Sequence, residues 1–240
     1  MFRILAAEKL KMKRTWLPVL ILLGPAGILL SMMVDFGLRR DYLLEQPLDS
    51  WVILVKEVSA LLPLALLLGS TLLASLMVGV EHQASAWKHL LTLPLSRFRI
   101  YLGKGIQMTG WLLLAGILMV PAFALLWIWF ELGKEIPWGS FLKGGLYPVL
   151  AVLPVAMLQL WLSVVIRNQA LPVFIGVVGS LFNRMLPAWM PWAYPGNSLP
   201  AQIAQEGNDP AVWVPAGIGV GILLLILGGL HFSRREVEAG

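Results

Sequence analysis

Four predominantly apolar stretches of this chain run for more than 20 residues without an Asp, Glu, Lys, Arg or His. They lie between Glu57 and Glu81, Lys104 and Glu131, Lys143 and Arg167, and Asp209 and His231. About 20 predominantly apolar residues is what an α-helix needs to cross the hydrocarbon core of a bilayer. The composition agrees. The 240 residues are 58% hydrophobic and 13% charged, where a soluble domain carries about 25% charged residues. The apolar runs use up most of the chain, so no sizeable soluble domain remains. The whole of 1–240 reads as one transmembrane domain.

Six segments are predicted to span: 16–34, 58–80, 106–130, 146–166, 170–186 and 212–232. The fifth is short, with Asn183 and Arg184 near its end. An even number of spans puts both termini on one side. That side also holds the 81–104 loop and the turn at Arg167. It carries 12 of the 18 Lys and Arg and only 4 of the 13 Asp and Glu. The excess of cations places it in the cytoplasm. The first apolar run lacks a small-residue cleavage site and is expected to stay as an uncleaved anchor. In a soluble protein the net charge of +5 would suggest nucleic acid. Here the position of the charges matters more, and no nucleic-acid partner is expected.

No acid, base or histidine sits at mid-depth in any predicted span. Proton- and ion-coupled transporters place such groups within the membrane because they carry the coupling ion. Gln159 is the most polar residue deep in a span, and an interhelical hydrogen bond suits it better than a substrate contact. There is no cysteine. His82, His89 and His231 do not have ligand spacing, so no metal site is expected. No Ser-His-acid set and no phosphate-cradling Gly-rich loop is found; Gly103-Lys104 has no such loop before it. The chain is expected to be no enzyme and to hold no cofactor. Any energy it uses must come from another polypeptide. Pro18, Pro25, Pro63, Pro121, Pro154 and Pro172 lie inside spans. They read as ordinary membrane-helix prolines or as hinges. Gly217 and Gly221 give the last span a face for close helix contact.

The polar break 81–104 is longer than a connector needs. Ala84, Trp87 and Leu91 recur at i, i+3 and i+7, with Leu90 beside them, which is one face of a short helix. Pro94 stops that helix near Thr92. Ser96 is placed to cap a new helix through Arg97, Phe98 and Arg99 into the third span. The segment reads as an interfacial helix with snorkelling cations or as a docking helix seated in a groove on a cytoplasmic partner.

The run from Glu81 through Trp87-Lys88-His89-Leu90-Leu91, Leu93-Pro94-Leu95-Ser96-Arg97 and Ile100-Tyr101-Leu102-Gly103-Lys104 resembles the signature of type-2 ATP-binding-cassette (ABC) exporter permeases. In that family an acidic residue ends the second span. A coupling helix, a Leu-x-Pro-x-Ser-Arg step and a Gly-Lys pair at the third span follow. The six-span layout is similar too, as is the basic amphipathic start at 1–14, which matches the family's N-terminal interfacial helix. The small size and short loops resemble the lantibiotic and bacitracin immunity branch. Where family members often carry Gly-Thr in the coupling helix, this chain has Ala84-Ser85-Ala86.

The resemblance implies a separate ATPase subunit that binds ATP and magnesium. It implies a second permease chain, identical or related, and a bacterial plasma membrane location. Trp87, Leu90 and Leu91 would form the seated apolar face, with Pro94 ending the helix. Lys88, Arg97 and Arg99 would make charge contacts at its rim, Arg99 and Lys104 would meet the partner or headgroups alone, and Glu81 would pair with a neighbouring cation. At the other surface, 187–195 is rich in proline and aromatics. It reads as an aromatic belt or as an exit gate formed by Trp189, Trp192 and Tyr194. Spans without charge suit an amphipathic or lipid-like cargo, such as an antimicrobial peptide. The rival reading is a membrane anchor or sensor of a signalling complex that transports nothing.

Overall fold

The computed structural model describes residues 17–83, 96–199 and 209–234. Among them every regular element is a helix. In chain order these are α1 (Leu17–Leu44), α2 (Ser50–Val58), α3 (Leu62–Gln83), α4 (Arg97–Trp129), α5 (Trp138–Ala151), α6 (Leu153–Val165), α7 (Ala170–Leu181), α8 (Tyr194–Asn197) and α9 (Pro210–Arg234). The physical cause is local. In hydrocarbon no water can satisfy a backbone amide, so each crossing segment must close its own hydrogen bonds.

Four helices are long and apolar enough to cross a membrane: α1, α3, α4 and α9. The pair α5 and α6, bent by 40° at Val152, is long and apolar enough together to count as a fifth candidate, as a broken span or a re-entrant loop. Pro154 lies in the first turn of α6. It has no N–H to continue the ladder and its ring crowds the carbonyl of Leu150, so the break falls there. Pro25 and Pro121 lie inside helices that continue past them.

The predicted span at 170–186 differs most from what is observed. Its helix, α7, has 12 residues, about 18 Å of rise, against a core of about 30 Å. The helix alone is too short to cross. Turns carry the chain on through Asn183 and Arg184. The first span also differs. α1 continues past Val34 to Leu44, so its 28 residues reach about 42 Å. An Asp35–Arg39 pair at i, i+4, 2.8 Å apart, lies on the added turns, on what the sequence predicts to be a connector. α2 is an unpredicted helix that buries Val52, Ile53, Leu54, Val55 and Val58.

α9 packs on α6, α4 and α5, while α3 packs on α6, α7 and α1. Glycine sets how near these helices come. A Cβ added at Gly217 would sit 2.6 Å from Cα of Ala151, and one at Gly221 would sit 2.7 Å from Cβ of Leu153. α9 therefore crosses α5 and α6 at their break, using the small-residue face predicted for it. Gly116 of α4 and Gly145 of α5 face each other in the same way: a Cβ on Gly145 would lie 2.5 Å from the Gly116 carbonyl oxygen.

Candidate functional site

The helix ends sort by charge. At one end, Gly228 and Gly229 of α9 lie against Tyr101 and Phe98 of α4. Trp161 of α6 donates to His231 Nδ1 of α9 at 3.0 Å. Gln169 packs beside Gly79 of α3. These contacts gather the ends that bear Arg97, Arg99, Arg167 and Arg234. At the opposite end Arg40 donates to the Phe130 carbonyl at 3.3 Å. There Arg39 reaches Asp35 and, at 3.7 Å, Glu57, and Arg184 donates to the Ser59 carbonyl at 3.1 Å. Lys56, Glu131, Lys134 and Glu135 share that end. One end is basic and the other is mixed, as the charge count along the sequence implies.

The basic end is built by two devices. Ser96 is extended at the N-cap of α4, and its hydroxyl accepts from the Arg99 amide at 3.4 Å. That cap starts α4 at Arg97, as predicted, so Arg97 and Arg99 fall in its first turn. Gln169 closes the end of α6: its side-chain amide donates to the carbonyls of Ser163 and Ile166, both at 2.9 Å. The first adds a side-chain acceptor to an amide that also donates to the Ser96 carbonyl at 2.9 Å, and the second caps carbonyls at the end of a helix.

The residues expected to dock a partner divide three ways. Trp87, Lys88, Leu90, Leu91 and Pro94 lie outside the described residues. Arg99 is exposed and Arg97 half-buried in the first turn of α4, while Glu81 falls in the last turn of α3. Lys104 lies two turns further along α4. It is 1% exposed, because it lies with Tyr101, Met108 and Leu112 on the stripe of α4 that faces the other helices.

At mid-depth a polar cluster joins α3, α6 and α7. Gln159 is fully buried. With its amide oriented by its neighbours, it donates to the Pro172 carbonyl at 3.1 Å and accepts from the Gly176 amide at 3.2 Å. This is the interhelical bond predicted for it. Thr71 Oγ1 donates to the Leu67 carbonyl at 2.9 Å, and Ser180 Oγ to that of Gly176 at 2.6 Å. A Cβ on Gly176 would collide with the Thr71 side chain. Thr71, Gly176 and Ser180 went unremarked in the sequence. Nothing local marks them, because such residues are common in membrane helices.

Of the three aromatic residues read as belt or gate, Tyr194 reaches Trp189, and Trp192 packs elsewhere. Tyr194 is buried, donates to the Trp189 carbonyl at 3.2 Å, and sits 5.0 Å from the ring of Trp213. Trp192 packs on Gly179. Trp189 is 68% exposed. A narrow cleft of about 40 Å³ opens between α1, α3 and α4, lined by apolar side chains, Gly24, Pro25 and Gly69. Among the described residues no group of three or more His, Asp or Glu is placed to hold a metal ion.

Apolar helices long enough to cross, a basic end and uncharged spans fit a multi-pass membrane protein. The family comparison supplies the permease class. A model of the ABC-2 family transporter proteins matches residues 4–183, and the chain belongs to that family. It is therefore a membrane permease component of an ABC transporter, whose ATPase partners are separate subunits. No curated protein and no solved structure matches the chain.

Proposed function

We propose that this chain is half of the transmembrane pathway of an ABC exporter in a bacterial plasma membrane. It pairs with a second permease chain, and ATP and magnesium are held by the ATPase subunits. The observation that carries this beyond the family is the gathering of Arg97, Arg99, Arg167 and Arg234 at one end of the helices. By the excess of cations that end is cytoplasmic. The flanks of the coupling segment, α3 at Gln83 and α4 at Arg97, end there. ATPase closure is transmitted through Trp87, Leu90 and Leu91 seated in a groove, with Lys88, Arg97 and Arg99 at its rim.

In this reading α7 and the turns after it form a sixth crossing. Three contacts support it. Gln169 lies beside Gly79, Gly176 against Thr71, and Arg184 on Ser59. In that order α7 and its turns follow α3 antiparallel from one end to the other. Both termini then lie in the cytoplasm. The cargo is amphipathic or lipid-like, a class that includes antimicrobial peptides. The uncharged spans and the apolar cleft between α1, α3 and α4 support it. Trp189, Trp192 and Tyr194 cover the outer exit.

The test is copurification with the cognate ATPase. Trp87→Asp with Leu91→Asp is expected to abolish ATPase recovery while the permease is still inserted in normal amount. Unchanged recovery and unchanged ATPase stimulation would end the docking assignment.

A further inference from the structure

A groove of about 250 Å³ runs between α6 and α9 near the basic end. Met157, Leu158, Leu224 and Leu227 form its apolar walls, and Trp161 and His231 also line it. A single water needs about 10–15 Å³ of such space and two or more polar partners. This groove has far more room and walls that offer no hydrogen bonds. It suits a hydrocarbon chain.

The polar end of the groove is shaped for an anion. The Trp161 indole N–H is a donor only, and it donates to His231 Nδ1 at 3.0 Å. Nδ1 must therefore be the acceptor nitrogen, which puts the proton of the neutral ring on Nε2. His231 is exposed, and this tautomer leaves its Nε2–H as a donor. Arg234 follows three residues later on the same face of α9 and is also exposed. Arg167 lies in the turn just beyond α6, at the same end. Among the described residues that end carries no acid except Glu81.

We propose that this groove binds one anionic phospholipid of the leaflet at the basic end. One acyl chain lies along Met157, Leu158, Leu224 and Leu227, and the phosphate meets His231 Nε2–H and Arg234. Basic pockets between membrane helices recognise lipid headgroups by this combination of charge and adjoining hydrocarbon surface. The name of the leaflet rests on the cytoplasmic assignment above, but the binding does not, and it needs no ATPase. Failure of ATPase copurification and failure of lipid binding are therefore separate results.

The experiment is native mass spectrometry of the full chain released from mild detergent. It is run with added phosphatidylglycerol, with phosphatidylcholine, and with inorganic phosphate alone. The unaltered chain is expected to retain phosphatidylglycerol at least fivefold more than phosphatidylcholine and to hold no free phosphate. Arg234→Ala, an exposed change at the end of α9, and His231→Ala are each expected to erase most of that preference. Leu227→Trp, which fills the groove, is expected to lower retention of both lipids. Equal retention of the two lipids by the unaltered chain overturns the proposal. So does a preference that survives Arg234→Ala and His231→Ala together, or a stable adduct with inorganic phosphate alone.

Discussion

α7 and α9 both pack on α6, and opposite chemistry holds them. α9 is apolar where it crosses: Gly217 and Gly221 let its backbone settle on the α5–α6 break. α7 is held by polar groups. Gln159 reaches its backbone at Pro172 and Gly176, and Thr71 fills the space above Gly176. In lipid, packing hydrocarbon against hydrocarbon gives no hydrophobic gain, so helices associate through close fit or hydrogen bonds. α9 is long enough to stay in place by spanning, and shape suffices for it. α7, with 12 residues, is too short to be held by its length. It takes an amide and a hydroxyl-bearing side chain from two neighbouring helices.

The difference can be broken at its strongest point. Gly217→Leu pushes a side chain into backbone atoms of Leu150 and Ala151, which have nowhere to go. We expect a loss of about 3 kcal/mol, read as a large fall in thermal stability in detergent. Gly176→Ala is expected to cost about 1–3 kcal/mol, because its neighbour is the short side chain of Thr71. Thr71→Ala in the same chain should restore most of that loss, whereas no single side-chain truncation should rescue Gly217→Leu. A rescue in neither case would mean that α7 is not seated on Thr71.

Gln159→Leu tests the polar contact directly. It removes both bonds to α7 and leaves the Pro172 carbonyl and Gly176 amide only their own helix. We expect a loss of about 1 kcal/mol, within the range for interhelical hydrogen bonds in lipid. Protection of α7 amides from hydrogen exchange should fall more than that of α9. The smallest effect should come from the mixed-charge end. Arg39 is exposed and its pair with Asp35 is screened by water, so Arg39→Ala should shift the melting temperature less than any of the other three.

Several features were legible in the residues alone because their causes are local. The cap at Ser96 needs only an extended hydroxyl residue before a helix. The polarity of Gln159 in an apolar run required a partner, although not a particular one. The small-residue face of α9 announced close contact, and Pro154 marked a place where a helix can break. The core position of Lys104 had no such sign. Its spacing from Tyr101, Met108 and Leu112 puts it on a stripe. Only the packing of neighbouring helices decides whether that stripe faces protein, lipid or a partner.

By itself the sequence determined that this chain is helical, membrane-spanning and basic at one end. Uncharged runs leave the backbone no partner but itself, and the flanking charges stay where water is. Tertiary structure decided where α7 stops, how far α1 extends, and which glycine meets which. It brought Gly116 to Gly145, Gly176 to Thr71 and Trp161 to His231. Each pair joins residues far apart in the chain, and each contact depends on the fit of two surfaces. Hydrophobicity, nearly uniform along these helices, has no power to choose between such fits.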